Sequence, residues 1–246
     1  MRYISFHVLF LFMSISAVSF NESFLEEYAY LVGKIIGDGN LDPKYPARFV
    51  AKDRDDLINL RYLLINKLKI DSSRLRIHEK KAFGSSYVLQ VNYANFGRIL
   101  CSLGAPLGNK TKISFSIPSW ILNNLSYKRR FLQALLEDEL TTIKIERSNY
   151  SVKPRLKMAK KPELLMDHTF FMTQVKEAIE SFGVSCSRLS KPIADNKHGS
   201  VYLYFHINRN KENVLRFKES IGFRLNTSKV KCLNECCEII KRSINS

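Results

Sequence analysis

An α+β fold built from two pseudo-symmetric αββαββα repeats is predicted by three observations. The order helix, strand pair, helix, strand pair, helix can be read twice along the 246 residues. Asp38 and Asp138 close the first helix of each half at equivalent ends. Strand segments in both halves alternate apolar residues with Arg, Lys, His and Tyr, as antiparallel sheets with one buried and one open face do.

The first half begins with a helix over 22–36, where Phe24, Leu25, Tyr28, Leu31, Val32 and Ile35 recur at helical spacing. Gly37-Asp38-Gly39 stops it. A short strand follows at 47–51, then a helix over 53–70 with Leu57, Leu60, Leu64 and Leu68 on one face. Strands at 74–81 and 86–93 flank Ala82-Phe83-Gly84-Ser85, a hairpin turn. A short helix at 95–103 ends at Gly104 and Pro106.

The second half repeats this order. A helix over 128–137 precedes strands at 141–147 and 152–160, joined through Ser148-Asn149-Tyr150-Ser151. A long helix over 163–182 is stopped by Gly183, and strands follow at 186–191 and 200–208. A helix at 212–221 ends at Gly222, and a last helix covers 229–242. Ile117-Pro118-Ser119-Trp120 marks the linker, which divides the chain into domains 24–126 and 127–246.

Residues 1–23 stand apart as a leader or a misread N-terminal extension. Arg2, the apolar run 8–13 and the small residues near Ala17 resemble a weak secretory signal, with Met13 an alternative start. The run is too short to span a bilayer. Five cysteines, an odd number without a Cys-x-x-Cys pair, favour a reducing compartment. The expectation is a cytoplasmic protein without membrane attachment. Cys232 and Cys236 share a helix face and could hold a metal, but Val230, Leu233, Cys237 and Ile240 share it too, so core packing is the stronger reading.

Sixteen Phe, 11 Tyr and a hydrophobic share of 45% exclude disorder and a disulfide-stapled mini-protein. The formal net charge of +16 calls for a polyanion. It is spread over both halves, +6 for 25–126 and +10 for 127–246, so both face the same partner. Arg74, Arg76, His78 and Lys80 alternate with Leu75 and Ile77, and Arg48 sits beside Phe49. Lys153, Arg155 and Lys157 alternate with Pro154, Leu156 and Met158; Tyr202, Tyr204, His206 and Asn208 oppose Leu203, Phe205 and Ile207. An ordinary solvated face would mix acids with bases, yet Glu79 and Glu146 are the only acids in four of these strands. Such side chains suit phosphates and base edges of double-stranded DNA.

Leu31-Val32-Gly33-Lys34-Ile35-Ile36-Gly37-Asp38-Gly39 resembles the nine-residue LAGLIDADG signature, matching its first, third, fifth, eighth and ninth places. A second, degenerate copy reads Phe131-Leu132-Gln133-Ala134-Leu135-Leu136-Glu137-Asp138-Glu139 and keeps mainly the eighth-place Asp138. Ile117-Pro118-Ser119-Trp120-Ile121 followed by Lys128-Arg129-Arg130-Phe131-Leu132 resembles the archaeal-type single-chain members. Over about residues 24–243 the sequence is similar to monomeric LAGLIDADG homing endonucleases.

The resemblance implies two motif helices packed side by side, each ending in a carboxylate aimed at the centre of a DNA duplex. Glycine at the third place permits the close approach; Gly33 supplies it and Gln133 does not. It also implies that Asp38 and Asp138 are the catalytic and metal ligands, holding Mg²⁺ or another divalent cation. A carboxylate at a helix C-terminus opposes the helix dipole, and a cation relieves both that and the mutual repulsion. Lys110 and Lys229 fall where the family has a basic residue near the centre, to stabilise charge, orient water or contact phosphate. The expected activity is site-specific double-strand cleavage by an intron-encoded, monomeric enzyme. The alternatives are a decayed scaffold acting as an intron RNA-splicing maturase or DNA binder, and an unrelated basic RNA- or ribosome-associated protein.

Overall fold

Helix α1 (Leu25–Ile36) is apolar on nearly every side, and from Tyr28 onward every residue is buried. A helix of that kind belongs in the interior. Its partner is α5 (Leu125–Glu139), charged at its start and buried from Phe131 to Glu137. The computed structural model describes residues 24–80, 86–141, 143 and 154–245. The leader, the 82–85 turn, Lys153 and nearly all of the expected 141–147 strand lie outside the described residues.

In the first half, α1 is followed by β1 (Asn40–Leu41), β2 (Ala47–Ala51), α2 (Arg54–Asn66), β3 (Leu75–Lys80), β4 (Ser86–Val91) and α3 (Ala94–Ser102). A short α4 (Ser119–Leu122) leads into α5. In the second half come β5 (Arg155–Lys160), α6 (Leu165–Glu180), β6 (Ile193–Asp195), β7 (Ser200–His206), α7 (Lys211–Ser220) and α8 (Thr227–Asn245).

The first sheet runs β1-β2-β4-β3, all antiparallel; the second runs β5-β7-β6, also antiparallel. Leu140 bridges Leu156 beside β5, at the place β1 takes beside β2, so the two sheets share one order. The αββαββα repeat is thus present in both halves. Each sheet puts an apolar face on the core: Phe49, Leu89 and Leu75 in one, Leu156, Leu203 and Phe205 in the other.

The sequence does not announce β1 or α4, and α2 ends at Asn66 instead of running to 70; two further elements also differ from the expected pattern. Helix α5 starts at Leu125, three residues ahead of the expected 128, because the Asn124 side chain accepts from the amides of Ser126 and Tyr127. The division chosen at residue 126 therefore falls inside its first turn. The strand expected over 186–191 is irregular. Cys186 bridges Ile207, but the hydroxyls of Ser187 and Ser190 accept the amides of His206 and Tyr204, displacing regular pairing. The regular strand forms later, at β6. Cys236 and Cys237 are fully buried in the core with Leu233 and Ile240.

Candidate functional site

Helices α1 and α5 lie so close that side chains must vanish between them. A Cβ on Gly33 would sit 2.6 Å from the Phe131 carbonyl oxygen and 2.9 Å from Ala134 Cβ. One turn on, a Cβ on Gly37 would lie 2.5 Å from Asp138 Oδ2. These contacts set the register between the repeats: Gly33 faces Ala134 and Gly37 faces Asp138. The counterpart of Asp38 is then Glu139, and the second motif copy is 132–140, one residue later than the sequence alignment placed it.

Gln133, aligned with Gly33 in sequence, leaves the helix pair altogether. Its amide donates to the Ile221 carbonyl at 2.8 Å and its oxygen accepts from Arg130. Ala134 fills the small-residue place instead. The signal was present in sequence, since Ala134 is the small residue of the degenerate copy, but the lone Asp138 drew the alignment to itself.

Asp138 is correspondingly occupied. Lys34 donates to Oδ1 across the helix pair, and the Asp38 amide donates to Oδ2 at 3.1 Å. Its side chain is 5% exposed. Burial alone would lower the Lys34 pKa, but the carboxylates of Asp138, Glu137 and Asp38 together outweigh it and the ammonium is held charged. Asp138 thus joins two helices and pins the turn carrying Asp38. Glu137 plays a similar part, accepting from the Tyr30 hydroxyl and from the amides of Arg224 and Leu225.

Asp38 and Glu139 line one cleft of about 570 Å³, together with Lys34, Asp138 and Lys229. Burial, then Asp38, push the Glu139 carboxyl up to about 8. Asp38 is raised as well, by burial and then by Asp138. Two buried oxygen donors whose proton affinities are raised by burial and by neighbouring carboxylates form a set that a hard divalent cation suits. No cluster of three or more His, Cys, Asp or Glu occurs among the described residues, so the remaining oxygens would come from backbone, water or substrate.

The two lysines mark the ends of the two motif helices. Lys110 Nζ donates to the carbonyls of Ile36 and Gly37. Lys229 Nζ donates to those of Leu136, Glu137 and Leu140, at 3.3, 2.6 and 2.6 Å. A cation satisfying terminal carbonyls opposes the negative end of the helix dipole. An ammonium has three donors. Lys229 has committed all three and serves as a cap, whereas Lys110 has two acceptors among the described residues and a third donor to offer. Burial lowers the pKa of both.

The basic candidates gather on the open sheet faces. Asn40, Arg48, Gln90 and Arg76 form one row across the first sheet, since Arg48 pairs with Asn40 and Gln90, and Gln90 with Arg76. His78 and Lys80 continue the face along β3, and Arg74 lies just before it. In the second sheet Arg155 is opposite His206 and Lys157 opposite Tyr204. Lys157 Nζ sits 3.7 Å from the centre of the Tyr202 ring, and Arg155 stacks on Tyr204. Val50 and Val88, paired across β2 and β4, interrupt the first basic face with apolar side chains, Val88 being buried. Arg48 also meets an acid, Asp42, at 3.8 Å.

Comparison with solved structures decides the architecture. Variants of the homing endonuclease I-DmoI superpose with a TM-score of 0.54 over 87% of this chain and 100% of theirs, at 19% identity. The homing endonuclease I-WcaI bound to its DNA recognition sequence gives 0.50 over 91% and 97%, at 12% identity. The chain has the two-motif LAGLIDADG fold. A further LAGLIDADG structure, I-DmoI in complex with DNA and Mn, gives 0.50 at 19% identity over 80% of this chain and 97% of that one.

No family model matches the sequence. Among curated proteins, the chain is 30% identical over 182 residues to DNA-directed RNA polymerase subunit Rpo1N of Methanocaldococcus jannaschii, covering 68% of this chain. It is 28% identical over 208 residues to the Replication factor C small subunit of the same organism, covering 80%. It is also 28% identical over 147 residues to the tRNA-splicing ligase RtcB of Methanopyrus kandleri, covering 59%. The chain spans only 14%, 11% and 14% of the length of these relatives. Among the described residues of the LAGLIDADG fold here, no helix is long and apolar enough to cross a membrane.

Proposed function

We propose that this protein is a site-specific double-strand DNA endonuclease using a divalent cation, with Asp38 and Glu139 as its two acidic ligands. The observation that carries the reading is the convergence of these two carboxylates at the ends of adjoining motif helices, in a cleft between two sheets with basic open faces. Asp138, the ligand expected from sequence, is replaced in this role by Glu139, because Lys34 and the Asp38 amide already use both its oxygens.

Asp38 and Glu139 would hold the cation, which when bound stabilises the attacking and leaving oxygens of a phosphodiester. Mg²⁺ is the natural choice for an all-oxygen site. The chain's own groups do the rest. Lys110 directs its remaining donor toward the developing phosphate charge. Lys229 holds the end of α5 so that Glu139 points into the cleft. Arg48, Arg74, Arg76, His78 and Lys80 on one sheet, with Arg155, Lys157, Tyr202, Tyr204 and His206 on the other, grip a duplex laid across both. Lys153 extends the second set by its alternation with Arg155 and Lys157 in sequence.

Three relatives named for RNA polymerase, replication factor C and tRNA ligation match this chain over a minor part of their length. A stretch common to proteins so different is separable from the activity each is named for. That supports a self-contained unit, and two repeats in one chain supply both motif helices to a monomer.

Incubating the protein with a large randomised duplex library, with Mg²⁺ and with EDTA, tests the reading. Cuts in both strands at one long recurring sequence, only with the cation, are expected. Asp38→Asn and Glu139→Gln should each abolish cutting while leaving retention of that sequence intact. Selective retention without cutting by the parent protein would instead place it with splicing-adapted or decayed scaffolds.

A further inference from the structure

Lys160 is a lysine on the apolar side of its strand. It follows Leu156 and Met158 at two-residue spacing, and it is 3% exposed. Buried ammonium groups are costly unless each donor finds an acceptor. No carboxylate meets it among the described ion pairs; its Nζ donates instead to the backbone carbonyls of Lys110 and Ile113, the latter at 2.6 Å. The Phe115 ring lies 3.5 Å from Nζ and covers the remaining side.

Those carbonyls belong to the tight turn that bears Lys110. Asn109 starts it by accepting from the Thr111 amide and hydroxyl, and the Lys161 amide donates to Thr111 O at 3.0 Å. The turn is therefore a first-half element fastened by the second half. The Lys229 turn is held differently, by Asn226 within its own half and, from the first half, by the Asp56 carboxylate, which accepts from the Thr227 amide; among the described residues no lysine side chain fastens it.

We propose that Lys160 is a positioning residue that sets the ammonium of Lys110 at the end of α1 by holding turn 109–113 from the opposite half. The consequence for cleavage rests on the nuclease reading above; the placement of Lys110 does not. Burial and the neighbouring Lys110 charge bring Lys160 down to about 8, so the two ammonium groups already sense each other.

Lys160→Met keeps the stem and removes the donors, and Lys160→Arg restores charge and donors. Two readouts separate the proposal from the nuclease reading. The first is reductive methylation of the folded proteins, quantified at each lysine by peptide mass spectrometry. Lys110 should be labelled on the order of tenfold faster in Lys160→Met than in the parent or in Lys160→Arg, with Lys229 unchanged. Equal labelling of Lys110 in all three overturns the proposal, whether or not the parent cuts DNA.

The second readout is single-turnover cleavage of the sequence recovered from the library. Lys160→Met should slow it by about 10- to 100-fold without weakening DNA retention, and should add nothing in a Lys110→Met background. An undiminished effect in that background overturns it, since Lys160 would then act by another route. If the parent does not cut, the nuclease reading fails and the labelling result alone decides where Lys110 is held. Should Lys160→Met not fold, Lys160→Gln, which loses the charge and one of the three donors on a shorter side chain, carries the same comparisons.

Discussion

At the residue scale, two adjacent acids on α5 divide the work. Asp138 stabilises and Glu139 faces the cleft, so their substitutions should separate stability from activity. Asp138→Asn leaves Lys34 charged and nearly buried without its carboxylate, which costs about 3–5 kcal/mol of folding stability for a buried pair broken on one side. Glu139→Gln should leave the melting temperature unchanged or higher, because a crowded carboxylate raised to about 8 is removed. Thermal unfolding of both variants checks this, and equal melting temperatures would contradict the division. A third residue fixes a pH dependence. His168 is fully buried, and since Met158 O can only accept, its Nε2 carries the proton at 3.0 Å and Nδ1 has no partner among the described residues. Burial, with the nearby charge of Lys160, lowers its pKa below 6.5, against the hydrogen bond to Met158. The folded state then binds fewer protons than the unfolded chain. The stability conferred by neutral His168 is complete above the unfolded pKa and is lost as pH falls through the depressed folded value. His168→Gln should flatten the loss of melting temperature from about pH 7.5 to about pH 5, near the range where an unperturbed histidine titrates.

At the element scale, the α1–α5 pair governs both packing and chemistry. Gly33 leaves no room for a side chain, because the nearest obstruction is the backbone oxygen of Phe131 at 2.6 Å. Gly33→Val must therefore separate the helices or bend one, at about 1–3 kcal/mol or more for overpacking a tight core. Circular dichroism should show a lower melting temperature, and cutting should fall further than stability explains, because the same shift separates Asp38 from Glu139. Most elements were legible in sequence: β2 lies at 47–51 as expected, and the alternation that predicted basic faces recurs in the pairing of β3 with β4 and β5 with β7. Such features follow from local periodicity. The misses involve partners distant in the chain. The strand expected at 186–191 yields to serine hydroxyls whose partners are on β7, and the eighth place of the second motif is set by what stands opposite Gly33 and Gly37. Lys160 could be seen as an oddity, a lysine on the apolar parity of its strand, yet its purpose lies 47 and 50 residues away at Ile113 and Lys110.

At the scale of the whole molecule, each half is braced by the other near the cleft. Lys160 and Lys161 hold the 109–113 turn, while Glu27 grips the Arg224 guanidinium with both oxygens and Asp56 accepts the Thr227 amide. Turns from both halves thus meet their anchors across the shared helix pair, so the two sheets are held in one fixed relation. A duplex spanning both sheets must then release counterions along both faces at once. Each phosphate contact adds about −0.9 to the slope of log K against log salt. Arg74→Ala and Arg76→Ala should each reduce the steepness by up to that amount, and so should Arg155→Ala and Lys157→Ala on the opposite sheet. Because the sheets do not move independently, losses from the two sides should add in a variant carrying one substitution on each. Fluorescence anisotropy with the recovered duplex across a salt series measures it. Slopes that respond on one sheet and stay flat on the other would mean that only one half lies on the DNA, and would remove the argument that two basic repeats read a single long site.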